Sequence, residues 1–317
     1  MIARARIIGA VDIGGTKIAV GAIDHAGRVL AREESPTAAR DGFGAAMVRI
    51  DGMLRRVRER AGGEFSGIGI GCTGPVEPVS GDIGDVDFLP GWQGRNPVEE
   101  LAGRFNLSVA MENDADAAAL AEFVCGAGRG KRHLICVTVG TGIGGGIVLN
   151  GQLYRGVGGV HPEIGHHVID AAGPECFCGA HGCWEVLARG PAMPERLLRT
   201  VPEDYAHRAN LTAERICELA RRGDPAARRE VAREAEYLGI GVANLITLYA
   251  PEVVVLAGSV MQSADLLLPP IRDTVARQCR LVPANTVEIA ASALKNDAAL
   301  IGAAMVWLRR HRRNAAA

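Results

Sequence analysis

The sequence predicts an α/β protein of two domains. Its 317 residues are about twice the roughly 150 residues of a typical domain, and strand patterns alternate with amphipathic helical patterns along the chain. Two strand pairs also enclose similar turns, Gly14-Gly15-Thr16-Lys17 and Gly140-Thr141-Gly142. We interpret this similarity as a hint of a duplicated α/β architecture, although it is too weak to define a repeat.

The strands are predicted from short apolar runs bounded by glycine, proline, asparagine or aspartate. The first three follow one another around the first glycine turn. The predicted strands are 6–13, 18–24, 28–34, 67–72, 108–111, 133–139, 144–149 and 252–257.

The helices are predicted from apolar residues at helical spacing. The clearest stripe runs from Phe43 to Val57 in steps of 4, 3, 4 and 3 residues. Asn96 and Pro97 suit the N-cap and first position of a second helix. The remaining helical patterns cover 114–124, 212–249 and about 297–310.

Composition and charge exclude several classes of function. Lys and Arg number 35 against 36 Asp and Glu, giving a net charge of −1, which provides no field for a nucleic acid. No apolar run approaches the roughly 18 residues of a membrane span, and the N-terminus lacks a signal-peptide pattern. Five of the eight cysteines stand alone in apolar segments, as reduced thiols do. We therefore expect a cytoplasmic protein without nucleic-acid or membrane partners.

The first glycine turn is a candidate phosphate site. In Asp12-Ile13-Gly14-Gly15-Thr16-Lys17, the glycines let backbone N–H groups face an anion, Thr16 adds a hydroxyl, and Asp12 can hold a hydrated divalent cation. A plain hairpin turn explains this segment alone equally well. The second turn, Gly140-Thr141-Gly142, favours phosphate binding because a nucleoside triphosphate needs donors from more than one side.

A candidate general base follows a predicted strand at Glu112-Asn113-Asp114. Ligands of α/β sheets bind at strand ends, where a carboxylate can accept a proton from a substrate hydroxyl and Asn113 can orient the substrate. Helix capping is the alternative, because asparagine and aspartate are favoured caps and an alanine-rich helix begins here.

A metal site is the most specific prediction from residue spacing. His166, Cys176, Cys178 and Cys183 form the pattern His-x9-Cys-x-Cys-x4-Cys. Three thiolates and one imidazole complete a tetrahedral set for Zn²⁺ and leave no open position, so the ion would be structural. Unligated reduced thiols are the alternative.

Two glutamates flank this metal pattern, Glu163 and Glu185. If the metal gathers the loop, both carboxylates could accept hydrogen bonds from the vicinal hydroxyls of a sugar. His166 could bind zinc through one ring nitrogen and donate a hydrogen bond from the other. Two surface glutamates without a ligand are the alternative.

Together these segments resemble the ROK family of bacterial sugar kinases and sugar-responsive repressors. The resemblance covers essentially the whole chain, and its last two segments are highly specific in combination. The segments are Asp12–Lys17, Gly71–Val76, Glu112–Asp114, Gly140–Gly146, Glu163–His166 and Cys176–Glu185.

The resemblance implies an actin-like, ribonuclease H-like ATPase fold of the hexokinase type, with two α/β domains around a central cleft. The smaller domain would contain residues 1–114 and 297–317, because the final helix returns to it. The larger domain, 115–296, would carry the zinc loop and the dimer surface of a homodimer.

The resemblance also implies ATP-dependent phosphorylation of a hexose, normally at O6, with Asp114 as the general base. The sugar would be bound by Asn113, Glu163, His166 and Glu185. Structural Zn²⁺ would be bound by His166, Cys176, Cys178 and Cys183. ATP and Mg²⁺ would be bound by Asp12, Gly14, Gly15, Thr16, Lys17, Thr141, Gly142 and Gly258.

The identity of the sugar stays open. Glucose is the favoured substrate because it is the commonest substrate of the family's kinases. However, His161-Pro162-Glu163 is similar to the same segment of fructokinases, and the cysteine loop is similar to that of N-acetylmannosamine kinases. An N-acetylglucosamine kinase is a further alternative. Asp116 stands where many members have asparagine. A sugar-sensing repressor is disfavoured, because the first strand begins too near Met1 to leave room for a DNA-binding module. A non-catalytic sugar-binding module is the third alternative.

Overall fold

The chain forms two compact units in the computed structural model, which describes residues 6–201 and 211–316. Unit 1 comprises Met1–Gly130, Arg155–His161 and Asn296–Ala317, and unit 2 comprises Lys131–Tyr154 and Pro162–Lys295. The chain therefore leaves unit 1 twice and returns to it twice.

Unit 1 is built on a five-stranded mixed sheet. Its strands are β1 (Arg6–Ile13), β2 (Lys17–Ile23), β3 (Val29–Pro36), β4 (Glu64–Cys72) and β7 (Val109–Asn113), and a separate pair is β5 (Val76–Glu77) with β6 (Asp82–Ile83). Its helices are α1 (Phe43–Ala61), α2 (Pro97–Phe105), α3 (Asp114–Cys125) and α9 (Ala298–Ala316). The sheet order is β3-β2-β1-β4-β7; β2 is antiparallel to both neighbours, and β1, β4 and β7 are parallel.

Helix α9 packs backbone to backbone in unit 1. A Cβ on Gly69 of β4 would lie 1.7 Å from the carbonyl oxygen of Ala303, and a Cβ on Gly302 would lie 2.1 Å from that of Ala117 in α3. Neither distance can accommodate a side chain. These two glycines therefore let α9 approach both the sheet and α3.

Unit 2 repeats the same sheet topology. Its strands are β8 (Leu134–Val139), β9 (Ile143–Leu149), β10 (Gln152–Leu153), β11 (Val253–Ala257) and β12 (Glu288–Ala291). Its helices are α4 (Trp184–Ala188), α5 (Ala192–Thr200), α6 (Ala213–Arg221), α7 (Pro225–Tyr249) and α8 (Ala264–Gln278). The order β10-β9-β8-β11-β12 begins with an antiparallel meander and continues with parallel strands, as in unit 1. The suggested duplication is therefore confirmed at the level of topology.

Two boundaries differ from those that the sequence suggested. The helical pattern over 212–249 is divided into α6 and α7, because Gly223 adopts a φ of 95° and Asp224 caps a new helix that begins at Pro225. The compact units divide after Gly130 rather than after residue 114, since α3 packs against α9. Across residues 6–201 and 211–316, no helix combines the length and apolar character that a membrane span requires.

Candidate functional site

Two aspartates of unit 1 lie at the carboxyl ends of β1 and β7, the two strands that flank β4. Asp12 of β1 pairs with Gly71 of β4, which pairs with Glu112 of β7, and Asp114 follows β7 as the first residue of α3. A Cβ on Gly71 would lie 3.8 Å from Oδ1 of Asp12 and 3.7 Å from the Cα of Asp114. Glycine at position 71 therefore keeps the space between the two aspartates open.

Burial disfavours the charged forms of both aspartates, and the charge of Asp114 adds to this effect at Asp12. Burial first, and then the charge of Asp114, raise the pKa of Asp12 to about 7, against a smaller opposing effect of Lys17. Burial also raises the pKa of Asp114, although the backbone N–H of Ala115 and the charge of His161 act in the opposite direction. A proton or a bound cation would relieve this repulsion.

Asn113 is both a helix cap and an oriented amide. Its Oδ1 accepts hydrogen bonds from the backbone N–H groups of Ala115 at 2.9 Å and Asp116 at 3.4 Å. Its Nδ2 lies 2.8 Å from the position that a Cβ on Gly74 would occupy. The capping interpretation is therefore correct, and the cap also fixes the direction in which the amide can donate.

The first glycine turn joins β1 to β2. The backbone N–H of Gly14 donates to the carbonyl oxygen of Lys17 at 2.9 Å, which closes the turn. A Cβ on Gly15 would lie 2.6 Å from Cβ of Phe88, so any larger residue at position 15 would require the phenylalanine to move. Thr16 is exposed, and Nζ of Lys17 lies 3.1 Å from Oε1 of Glu34. The lysine therefore pairs with strand β3 as well as lowering the pKa of the nearby aspartate.

Sequence reasoning missed an ion-pair network beside Asp114. Asp116 is fully buried, and its Oδ2 lies 2.5 Å from Nη1 of Arg155 and 2.6 Å from Nδ1 of His161. Arg155 also forms an ion pair with Glu112. The network holds the segment Arg155–His161 on α3 within unit 1. Sequence reasoning gave no signal for this pairing because Arg155 and Asp116 are 39 residues apart.

The four residues predicted to bind metal converge in unit 2. Ligand atoms of His166, Cys176, Cys178 and Cys183 all lie within 4.8 Å of one another. Nδ1 of His166 faces the sulfur of Cys176 at 3.5 Å, and the sulfurs of Cys178 and Cys183 are also 3.5 Å apart. We call these four residues the cysteine cluster. Their spacing around one point is compact enough for a single small ion.

The thiols of the cysteine cluster differ in acidity. The backbone N–H of Ala180 is the largest influence that lowers the pKa of Cys178 to about 7, while burial raises the pKa of Cys183 to about 12. Neighbouring thiolates repel, so a bound cation is needed to keep all three ionised. Three sulfurs and one imidazole are a preferred donor set of Zn²⁺, and the residues present therefore fit that ion.

Glu185 lies in the first turn of α4 and faces two groups. Its Oε2 accepts a hydrogen bond from the backbone N–H of Ile143 at 2.7 Å. Its Oε1 lies 4.0 Å from Nε2 of His166, which is too long for a direct hydrogen bond. Glu163 is exposed, and its backbone carbonyl oxygen accepts a hydrogen bond from the backbone N–H of His166 at 3.1 Å. A sugar contact by the Glu163 side chain stays a prediction.

The second glycine turn joins β8 to β9 in unit 2. Gly258 follows β11 with a φ of 95°, and a Cβ there would lie 2.3 Å from the carbonyl oxygen of Val139, the last residue of β8. Only glycine therefore fits beside the turn. Thr141 is exposed and Gly142 is partly buried, and the close approach of Gly258 to Val139 places Gly258 beside the start of this turn.

Comparison with known proteins identifies the family. The ROK family profile matches residues 8–310. The chain belongs to the ROK family. The resemblance read from the sequence is therefore confirmed. A glucokinase of Thermotoga maritima is 33% identical over 310 residues, which cover 95% of this chain and 96% of that relative.

Solved structures confirm the fold class. The ROK family glucokinase from Streptomyces griseus, solved in complex with glucose and AMPPNP, has a TM-score of 0.82 and 32% identity, covering 94% of this chain and 98% of its own. The actin-like ATPase fold is thus confirmed. The family also includes repressors: a xylose repressor of Bacillus subtilis is 32% identical over 238 residues, which cover 74% of this chain and 59% of the repressor.

Proposed function

We propose that the protein is an ATP-dependent hexose kinase that transfers the terminal phosphoryl group of ATP to O6 of glucose. The observation that carries the proposal is that one ROK chain holds a strand-end aspartate pair in unit 1 and a cysteine cluster with an adjacent carboxylate in unit 2. Similarity to a glucokinase over 95% of the chain supports glucose as the substrate.

Asp114 is the general base in this mechanism. Its Oδ1 accepts a hydrogen bond from the backbone N–H of Ala115 at 2.8 Å, which orients the carboxylate and directs Oδ2 to the sugar hydroxyl. Burial raises the pKa of Asp114 above its ordinary value, and a raised pKa makes a carboxylate a stronger base. Oδ2 takes the proton of the O6 hydroxyl as that oxygen attacks the terminal phosphorus of ATP.

Each unit offers groups that suit the hydroxyls of a sugar ring. In unit 1, Asn113 donates from Nδ2, because Oδ1 caps α3. In unit 2, Nε2 of His166 and Oε1 of Glu185 are 4.0 Å apart, a spacing that lets neighbouring ring hydroxyls bond to each. Glu163, exposed beside His166, accepts from a further hydroxyl.

Each unit also offers a glycine turn that suits the phosphates of a nucleotide. Gly14, Gly15 and Thr16 with Lys17 act from unit 1, and Thr141, Gly142 and Gly258 act from unit 2. Asp12 would hold Mg²⁺, since a carboxylate whose pKa is raised to about 7 beside a second carboxylate gains stability from a divalent cation. When bound, Mg²⁺ neutralises the phosphate charge during phosphoryl transfer.

The cysteine cluster would hold structural Zn²⁺. With four protein ligands the ion has no open position for chemistry, and its contribution is to fix the loop that carries His166. Nδ1 of His166 faces the cluster, so Nε2 remains the nitrogen that donates to the sugar.

A hexose panel tests the function and its alternatives. ADP release should be measured with glucose, mannose, fructose, N-acetylglucosamine and N-acetylmannosamine, and the product's phosphate position should be assigned by NMR. We expect the highest kcat/KM with glucose, and glucose 6-phosphate as product. Sugar binding without ADP release from any sugar would instead indicate a sensor or binding module. Light scattering should report the homodimer that the family resemblance implies.

A further inference from the structure

One carboxylate in unit 2 connects the proposed sugar side to the proposed nucleotide side. Oε1 of Glu185 faces Nε2 of His166 at 4.0 Å, and Oε2 accepts the backbone N–H of Ile143 at 2.7 Å. Ile143 directly follows the Gly140-Thr141-Gly142 turn and begins β9. The two oxygens of one side chain therefore face the proposed sugar side and the proposed nucleotide side, respectively.

The turn leaves room for this carboxylate at one glycine only. A Cβ on Gly142 would lie 2.4 Å from Oε2 of Glu185, whereas the nearest atom to a Cβ on Gly140 is Oγ of Ser259 at 3.7 Å, an ordinary contact. A methyl group at position 142 would thus displace the carboxylate, which is the far end of a flexible side chain. The same methyl group at position 140 would not.

The helix that carries Glu185 is fixed to the same turn at its other end. The backbone N–H of Gly190, two residues beyond α4, donates to the carbonyl oxygen of Gly140 at 2.8 Å. Arg196 binds the carbonyl oxygen of Leu187 in α4, and it also pairs with two buried glutamates of α7. Helix α4 and the turn therefore form one connected element.

We propose that Glu185 is a positioning residue that couples sugar binding to nucleotide binding within unit 2. The inference rests on the proposed kinase function. A phosphate held by the turn fixes the N–H of Ile143, which fixes Oε2 and so presents Oε1 to the sugar. By thermodynamic reciprocity, a sugar that fixes Glu185 must strengthen nucleotide binding by the same factor.

Calorimetry on two glycine variants tests the coupling. Glucose affinity is measured with and without saturating AMPPNP for wild type, Gly142→Ala and the control Gly103→Ala. In wild type we expect AMPPNP to tighten glucose binding by about fivefold or more. In Gly142→Ala, glucose binding without nucleotide weakens about tenfold, as expected for one lost charge-assisted hydrogen bond, and most of the coupling disappears. Gly103→Ala, whose Cβ would lie in open space on α2, keeps both the glucose affinity and the coupling.

A second variant, at Glu185 itself, tests the coupling through nucleotide binding. Glu185→Asp shortens the side chain, so that one carboxylate can no longer reach both partners. We expect it to weaken AMPPNP binding several-fold even when no sugar is present, which loss of a sugar contact alone would not do. Zinc content and thermal unfolding temperature should stay at wild-type values.

Three outcomes would overturn the inference. Wild-type glucose affinity in Gly142→Ala, equal losses in Gly142→Ala and Gly103→Ala, or unchanged AMPPNP binding in Glu185→Asp would each show that Glu185 does not connect the two ligands. Failure of the kinase proposal looks different, because wild type would then release no ADP with any hexose. If Gly142→Ala does not fold, Glu185→Asp alone decides the question.

Discussion

Replacing Asp12 with asparagine should increase stability at alkaline pH. Asp12 has a pKa of about 7 in the folded chain, against an ordinary value of 3.8. Each unit of difference between the two pKa values corresponds to about 1.4 kcal/mol. Folding therefore disfavours the charged carboxylate by up to about 4 kcal/mol. We expect roughly half of this in solution, because the side chain keeps some contact with solvent that screens the charge.

The sign of the pH dependence follows from the raised pKa. Below pH 3.8 the carboxyl is neutral in both folded and unfolded chains, and its contribution to stability is fully present. Between pH 3.8 and about 7 the unfolded chain loses this proton while the folded chain keeps it, so the contribution falls with pH and is fully lost above about pH 7. The stability advantage of Asp12→Asn over wild type should therefore grow from pH 4 to pH 8 and reach about 2 kcal/mol.

Urea unfolding at pH 4, 5, 6, 7 and 8 in magnesium-free buffer measures this advantage. Comparing the two proteins cancels the other titrating groups, including Glu234, whose pKa burial also raises to about 7. Asp114→Asn should give part of the same gain, because the charge of Asp114 is the second cause of the shift. Parallel stability profiles for Asp12→Asn and wild type would refute the reasoning.

Two further predictions concern the cysteine cluster and the packing of unit 1. Cys178→Ser should lose both its bound zinc, measured by elemental analysis, and its glucose affinity. Cys125→Ser, outside the cluster, should keep both. Full zinc content in Cys178→Ser would contradict the ligand assignment. Gly302→Ala should lower the free energy of unfolding by about 1–3 kcal/mol or more, since its Cβ would lie 2.1 Å from a backbone oxygen. Gly103→Ala, in open space on α2, should be neutral or stabilising in the same denaturant titration.

Local signals predicted much of unit 1. The strand expected over 6–13 is β1, Arg6–Ile13. Asn96 caps α2 by accepting a hydrogen bond from the backbone N–H of Glu99, with Pro97 at the first helical position. Such features are decided by a few neighbouring residues, which is why composition and spacing suffice to predict them.

Helix α8 of unit 2 was not predicted, because local rules disfavour it. It contains Pro269 and Pro270, and proline in a helix interior removes a backbone donor. Leu267 and Ile271 on the same helix are fully buried. Burial of that apolar face therefore outweighs the local preference, and this balance depends on neighbours that are distant in sequence.

Within the candidate site, too, local features could be predicted from the sequence and contacts between distant residues could not. The cysteine cluster could be predicted because its ligands fall within one short segment, from His166 to Cys183. The Asp116–Arg155 ion pair could not, and neither could the hydrogen bond from the backbone N–H of Ile143 to Glu185, whose partners are 42 residues apart. Backbone donors carry no signature in residue type, so only the folded chain reveals them.

Asp114→Asn tests the central claim most directly. The asparagine keeps the size and helix-start position of Asp114 but cannot accept the proton of the sugar hydroxyl. We expect kcat for glucose-dependent ADP release to fall by about 10²–10⁴, while calorimetry still detects glucose binding. Near wild-type turnover in Asp114→Asn, with glucose binding intact, would contradict the role of this aspartate as the base.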